Sequence, residues 1–508
     1  MSESQIKKGA VLGYVILFLG NIIPLFYTPI MLRILGQEEY GLYSLATATT
    51  AYLALLNLGL GSALIKYTAK YRATDDREAE SNLTGLFIII FSVLSLIVLV
   101  IGAALVLNVN LIFGDSLSAG ELSRIKVLMA VVVFKIALSL PLSVYNGLIM
   151  AHEKFIFHKL VALISTVVVP ALNLIVLFKG YGSIGLVVIL LLSSIATSLV
   201  NIVYCYSRLK IKPRFKGLDY SILREITTFT VFVFLGNIIN MLYGVTDRFI
   251  LGIYSGTAVV AVYSIGALLT RHYDSFARML SPLLFPKITI MVTNRASKEE
   301  LTAIFIKVGR LQYILLSFIL SGFILFGQQF ISLWAGAEYS DSYYIALILM
   351  VPVTIPLIQI VGLNILLAKN LHKFRTVIYA IIAVMNVVVS LYVVQIWGAI
   401  GIAFVSCAAL LLGQGLAINI YYYKIIELDI PQFWSNILRI SIPVLIALIL
   451  GYAVGQISIT EGWSSFFIFV IIYSIIFWVL MWFTGMNKYE KDLLTEPIKT
   501  LVMRLKNR

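Results

Sequence analysis

Charge is scarce in this chain. Asp, Glu, Lys and Arg make up 12% of its 508 residues, where a soluble domain carries about 25%. No hydrophilic stretch is long enough to fold by itself. A membrane polymerase or glycosyltransferase would need a sizeable loop with catalytic carboxylates, and the longest outer loop, 108–123, is too short for one. Cysteine is nearly absent. Cys205 and Cys407 lie in apolar runs, and there is no CxxC and no HExxH. Neither a disulfide framework nor a metal site is expected, and neither are catalytic residues or a cofactor. No nucleotide-binding loop occurs, so ATP is not the direct drive.

Apolar sequence is abundant, at 60%. A helix needs about 20 residues to cross the hydrocarbon of a bilayer. Such runs occur at 10–32, 41–65, 82–107, 124–150, 159–178, 184–206, 227–251, 257–281, 308–331, 343–367, 376–396, 398–421, 438–458 and 463–485, fourteen in all. The first is too long for a cleaved signal peptide and is expected to stay as a signal anchor. An even count puts both termini on one side. Of the 38 Lys and Arg residues, 30 fall in segments that are cytoplasmic if the N-terminus is inside. With span ends good to a few residues, four, Arg33, Arg124, Lys126 and Lys179, fall outside, and four lie well within spans. The positive-inside rule then places both termini in the cytoplasm. The same scatter accounts for the net charge of +14. Nucleic-acid binding would gather those charges on one folded surface, so no nucleic-acid partner is expected.

The chain also repeats itself. "NIIPLFYTPIMLRILG" at 21–36 returns as "NIINMLYGVTDRFILG" at 237–252, with seven of sixteen positions identical. "YGSIGL" at 181–186 returns as "WGAIGI" at 397–402, again 216 residues on. "GLYSLA" at 41–46 is echoed by "AVYSIG" at 261–266, four residues out of step. Ordered echoes near one offset argue for two homologous six-helix halves. Six spans separate them, so the repeats are parallel, an arrangement known in secondary transporters with substrate passing between the halves. The expected fold is an all-α integral membrane protein of 14 transmembrane helices, two parallel six-helix repeats plus two C-terminal helices. The expected division is 1–210, 211–425, and 426–508 for the extra helices and basic tail. A scaffold could also arise by duplication, but it leaves charges inside the spans unexplained.

Those charges are Lys135, Arg248, Arg271 and Arg278, with Asp247 and Asp274. A charge at mid-bilayer costs roughly 2.5–3.5 kcal/mol on insertion scales, so such residues face protein or a water-filled cavity. Arg271 and Arg278 lie within about 20° of each other on a helix, with Asp274 about 60° away. Asp274 is thus placed to neutralise Arg271. Lys135 shares a face with Ser139 and Asn146. Asn240, Tyr243 and Asp247 form a polar stripe on the seventh span. Asp247 and Arg248 are adjacent and point about 100° apart, so Asp247 needs another partner, a proton or a cation. Arg248 and Arg278 are near enough to span ends to snorkel; Lys135 and Arg271 are too deep. Four cations against two carboxylates give an electropositive path suited to an anion, and arginine's planar fork suits phosphate. Tyr43, Tyr145, Tyr243, Tyr263 and Tyr273 are candidate sugar contacts. Pro24 and Pro29 in the first span and Pro352 and Pro356 in the tenth are candidate bends.

The twelve-plus-two spans, "LRILGQEEYGLYS" at 32–44 and "DRFILGIYSGTAVVAVYS" at 247–264 together resemble the polysaccharide, or Wzx-like oligosaccharide, flippase family. That family lies in the multidrug/oligosaccharidyl-lipid/polysaccharide exporter superfamily. The resemblance covers essentially the whole chain. It implies transport of undecaprenyl-pyrophosphate-linked oligosaccharide units from the inner to the outer leaflet of the bacterial inner membrane. The product would be O-antigen, capsule or exopolysaccharide. It also implies a cationic cavity, a role that Lys135, Arg248 and Arg271 match by helix and depth. Arg278 joins them as a substrate contact on charge alone. Asp247 and Asp274 are candidate coupling or pairing residues, H+ or Na+ is the candidate coupling ion, and other membrane proteins of polysaccharide assembly are candidate partners. The alternative is a cation-coupled drug or metabolite antiporter of the same superfamily, which calls for an acidic cavity.

Overall fold

The computed structural model describes residues 3–216, 222–278, 281–456, 462–493 and 495–496. Among them there is no strand. The helices are α1 (Glu3–Ala51), α2 (Leu60–Ala73), α3 (Arg77–Leu107), α4 (Val109–Phe113), α5 (Ala119–Ala151), α6 (Phe155–Phe178), α7 (Gly182–Tyr204), α8 (Ile222–Gly244) and α9 (Thr246–Tyr254). They continue as α10 (Gly256–Arg278), α11 (Ser281–Thr293), α12 (Lys298–Trp334), α13 (Ser342–Ile358), α14 (Ile360–Ala368), α15 (His372–Leu410), α16 (Ile418–Tyr421), α17 (Ile430–Gly455) and α18 (Trp463–Leu480). Nine helical stretches among the described residues are long and apolar enough to cross a membrane, or ten with one bent pair counted as a span. The chain is a multi-pass membrane protein.

Two of the nine are too long for one crossing. Val11–Ala73 has 63 residues and Lys373–Ile426 has 54, about 95 and 80 Å at 1.5 Å per residue. The hydrocarbon is only about 30 Å thick. Each contains a glycine whose backbone leaves the helical region, Gly36 (φ 76°, ψ 172°) and Gly398 (φ 55°, ψ −138°). Only glycine takes these angles without strain. Both lie where the sequence pattern separates one apolar run from the next.

The chain forms two compact units, one of residues 1–264 with 387–402 and one of 265–386 with 403–508. In the first, Phe87, Phe91 and Val98 of α3 are fully buried against Val133, Leu140, Val144 and Leu148 of α5. The far side of α3 is equally apolar, and Val100 and Leu107 are 70% and 78% exposed. Lipid is as apolar as leucine, so what holds such helices together is close packing and interhelical hydrogen bonding.

The hydrogen bonds gather at the end of this unit that the charge pattern places outside. Glu39, in the "GQEEYG" motif, accepts from the Ser183 amide at 2.7 Å and hydroxyl at 2.8 Å, at the start of α7. A carboxylate there satisfies an open amide and the positive end of the helix dipole. Ser44 and Ser264 hydroxyls meet at 2.6 Å; they occupy the same place in the two "YS" echoes. Gly41 packs so tightly that a Cβ would sit 1.9 Å from the Thr257 carbonyl oxygen. Gly41→Ala should therefore destabilise the protein by about 1–3 kcal/mol, as overpacking does. The check is the melting midpoint in detergent, and an unchanged midpoint would show that the backbones can part freely.

Glu121 adds a pH dependence. It accepts from the Thr257 hydroxyl at 2.6 Å and from the Ser118 amide and hydroxyl. Burial alone would raise its pKa; the Thr257 and Ser118 hydrogen bonds outweigh that and hold it below the usual carboxylate value. A lowered folded-state pKa gives stability that is present above the unfolded value and lost as pH falls through the folded one. The melting midpoint should fall on acidification through this range, and Glu121→Gln should remove that part of the slope.

In the second unit, α17 and α18 pack on α12. Tyr313 bonds Ser441 at 2.6 Å, and the Tyr473 hydroxyl donates to Ser321. Tyr473, Phe477 and Ile440 are buried in this contact. The helices that the sequence marks as unpaired additions are thus built into the unit's core. The tenth span bends as its prolines suggest: α13 and α14 meet at 48°. Gln359 at the break exchanges two hydrogen bonds with Asn419, at 2.8 and 3.2 Å, and Trp434 donates to Asn419 at 3.0 Å.

Candidate functional site

Three helices of the first unit turn hydroxyl-bearing faces toward one cavity of about 370 Å³. α5 contributes Lys135, Ser139, Ser143 and Asn146; α6 contributes His158 and Ser165; α7 contributes Ser193, Ser194, Thr197, Ser198 and Asn201. Each set follows the three-and-four spacing that keeps side chains on one face of a helix. Lys135 is the seventeenth of the 33 residues of α5, near mid-depth, and is half-buried. Asn146, His158 and Asn201 lie near the helix ends that the charge pattern places in the cytoplasm. The cavity therefore runs from those helix ends to the middle of α5, where Lys135 stands.

No carboxylate lines it. Its serines are also oriented. Ser139 donates to Ile136 O at 2.8 Å, Ser143 to Leu140 O at 2.6 Å and Ser193 to Leu190 O at 3.1 Å. A hydroxyl whose proton is held by its own helix offers lone pairs to anything else. The cavity thus presents a cation and three hydroxyls set to accept, beside the Asn146 and Asn201 amides, which can also donate. Among the described residues no group of His, Cys, Asp and Glu could hold a metal ion.

Asp247 and Arg248 take separate partners. α8 ends at Gly244, so Asn240, Tyr243 and Asp247 do not form one continuous stripe. Asp247 sits in the first turn of α9, is 8% exposed and accepts the Tyr263 hydroxyl. Tyr263 is thus a buried partner of Asp247. Arg248 is half-buried and donates to Gly244 O at 3.1 Å, closing the end of α8. Tyr52 bonds Thr246 at 2.8 Å beside them.

In the second unit, Asp274 does not neutralise Arg271. It takes Arg278, four residues on, at 2.7 Å. The i,i+4 spacing brings these side chains together more readily than i,i+3 does here. Arg271 is exposed and has no ion pair among the described residues. Tyr273 is buried and bonds Thr354 at 2.7 Å, and Tyr145 is buried in the first unit's core. Both are packing residues. Arg310, one of the 30 charges assigned to cytoplasmic segments, is buried within α12 and held by Glu490 at 2.7 and 2.9 Å.

The sequence model of a family described as "Polysaccharide biosynthesis protein" matches residues 6–292. A Shigella flexneri protein named for O-antigen transport is 22% identical over 377 residues, 73% of this chain and 87% of that protein. The solved structure of the lipid II flippase MurJ in an inward closed conformation superposes with a TM-score of 0.72, covering 96% of this chain and 99% of that one at 16% identity. An inward-facing multidrug resistance MATE family transporter of the MOP superfamily gives 0.58, covering 78% and 96% at 16% identity. At these identities the structural likeness establishes a shared fold.

Proposed function

Since this chain belongs to the polysaccharide biosynthesis protein family, we infer that it is a flippase, a transporter and not an enzyme. Its substrate is an undecaprenyl-pyrophosphate-linked oligosaccharide, moved from the inner to the outer leaflet of the bacterial plasma membrane for cell-surface polysaccharide. The fold shared with a lipid II flippase and the likeness to an O-antigen transporter support this reading. The observation that carries it is the sign of the charge within the spans. Arg271 is unpaired among the described residues, and the Lys135 cavity has no carboxylate. Both favour an anionic cargo. Lys135, Arg248, Arg271 and Arg278 are the proposed substrate contacts, with the arginine forks serving the diphosphate. Asp247, held by Tyr263, is the proposed coupling residue for H+ or Na+; Asp274 is the proposed partner of Arg278.

The proposed topology has fourteen crossings with both termini cytoplasmic. The two overlong stretches count as two crossings each, the bent α13–α14 pair as one, and α8–α9 and α10 as one each. Cysteines placed singly in loops 67–81 and 207–226 should be labelled only from the cytoplasm; labelling from outside intact cells would overturn this topology.

The MATE likeness keeps the antiporter as a second reading. One experiment separates the two. The protein is reconstituted with undecaprenyl-pyrophosphate-linked oligosaccharide in the inner leaflet, and its arrival outside is followed by lectin capture. Ethidium exchange against a proton gradient is followed in parallel. Lectin capture without ethidium movement supports the flippase; the reverse supports the antiporter.

A further inference from the structure

We propose that the Lys135 cavity is a saccharide subsite that selects units bearing one acidic group, a carboxylate or a phosphate. This rests on the flippase reading and adds a demand on the sugar itself. At about 370 Å³ the cavity falls within the size range of small-molecule sites, and is far larger than an inorganic ion needs. It offers acceptors beside donors, the latter including the Asn146 and Asn201 amides. Ser139, Ser143 and Ser193 have their protons committed to backbone carbonyls, so they accept from a ligand that donates. Sugar hydroxyls donate in this way. No Phe, Tyr or Trp and no carboxylate lines the cavity, which disfavours an organic cation.

Lys135 then needs a partner from the ligand. It is a single point charge near the middle of α5, with no arginine beside it among the lining residues. A diphosphate has two phosphoryl groups to hold, and an arginine fork is the better match for it. One carboxylate or phosphate on a sugar ring presents a single acidic group to the single ammonium. The ring's hydroxyls would lie along the serines of α5 and α7, and its acidic group would reach Lys135.

The test uses the full-length protein in detergent and probe pairs that differ by one acidic group: cellobiouronic acid against cellobiose, and glucose 6-phosphate against glucose. Binding is read by saturation-transfer NMR. At least one acidic probe should bind about tenfold more tightly than its neutral partner. Lys135→Gln should bring that ratio within about twofold, and Lys135→Arg should keep most of it. Equal binding of acidic and neutral probes to the wild type, or a preference that survives in Lys135→Gln, would overturn the proposal. Should Lys135→Gln bind no sugar at all, Ser193→Val decides. It keeps the charge and loses an acceptor, so it should weaken acidic and neutral probes together; unchanged binding of both would place the sugars elsewhere.

A second arm reads flipping of undecaprenyl-pyrophosphate-linked glucuronate and glucose by the reconstituted protein. Acid preference in binding with neither lipid flipped would leave the subsite standing and sink the flippase reading. Flipping of both lipids at one rate, with no acid preference in binding, would do the opposite.

Discussion

Arg271→Ala is expected to lower the lipid-linked oligosaccharide reaching the outer leaflet at least about tenfold, equivalent to about 1.4 kcal/mol or more of lost stabilisation in transport, at unchanged protein level in the membrane. Arg271 is the sixteenth residue of a 23-residue helix, away from both ends. A cation there is costly unless a cavity or a partner receives it. Its nearest carboxylate in sequence, Asp274, is committed to Arg278. An arginine kept at that depth without a protein anion is best accounted for by an anion that comes and goes. Arg271→Lys should restore part of the activity, since it keeps the charge and loses the fork. Adding Asp274→Ala to Arg271→Ala should recover nothing, because that carboxylate does not serve Arg271. Wild-type delivery in Arg271→Ala would mean the residue only meets solvent or headgroups. Recovery in the double variant would mean that Asp274 answers to Arg271 after all.

The sequence made the spans legible because hydrophobic run length is a local quantity. The breaks at Gly36 and Gly398 sit where two apolar runs adjoin, so they too could be read. Lys135 was legible by cost: one ammonium in an apolar helix stands out. The hydroxyl face opposite it was not, although "LLSSIATSLVN" at 191–201 repeats its polar residues at three-and-four spacing. Serine and threonine are ordinary in membrane helices, where they bond their own backbone or pack closely. Only the convergence of α5, α6 and α7 gives that face a meaning. Pairing was hardest to read. Asp247 with Tyr263 spans a helix break, and the choice of Arg278 over Arg271 turns on rotamers that one turn of helix leaves open. The tyrosines offered as sugar contacts show the same limit: Tyr263 and Tyr273 carry a polar tip that burial can satisfy as well as a ligand can.

Breaking the Arg310–Glu490 pair on one side is expected to destabilise the protein by about 3–5 kcal/mol. Arg310 lies 8% exposed in α12 and Glu490 2% exposed beyond α18. The guanidinium donates twice to the carboxylate, to Gly485 O at 3.1 Å and to Asn436 Oδ1 at 3.4 Å. Glu490 also accepts the Asn487 amide at 2.8 Å. One bidentate contact thus ties the segment after α18, through Asn436 of α17, to α12. The apolar contact around Tyr473 and Phe477 gives these helices area, but apolar surface gains little from leaving lipid, so the polar clamp carries much of the specificity of docking. Glu490→Gln leaves a buried guanidinium without its anion, and Arg310→Met leaves a buried carboxylate without its cation. Either should lower the melting midpoint in detergent sharply. The double variant Arg310→Met with Glu490→Met removes both desolvated charges and should regain most of the loss, because well-packed apolar pairs often match buried ion pairs in stability. If the single variants melt like the wild type, the pair is wet and weak. If the double variant is as unstable as the singles, the geometry of the fork, and not the burial of charge, is what holds α17 and α18 to α12.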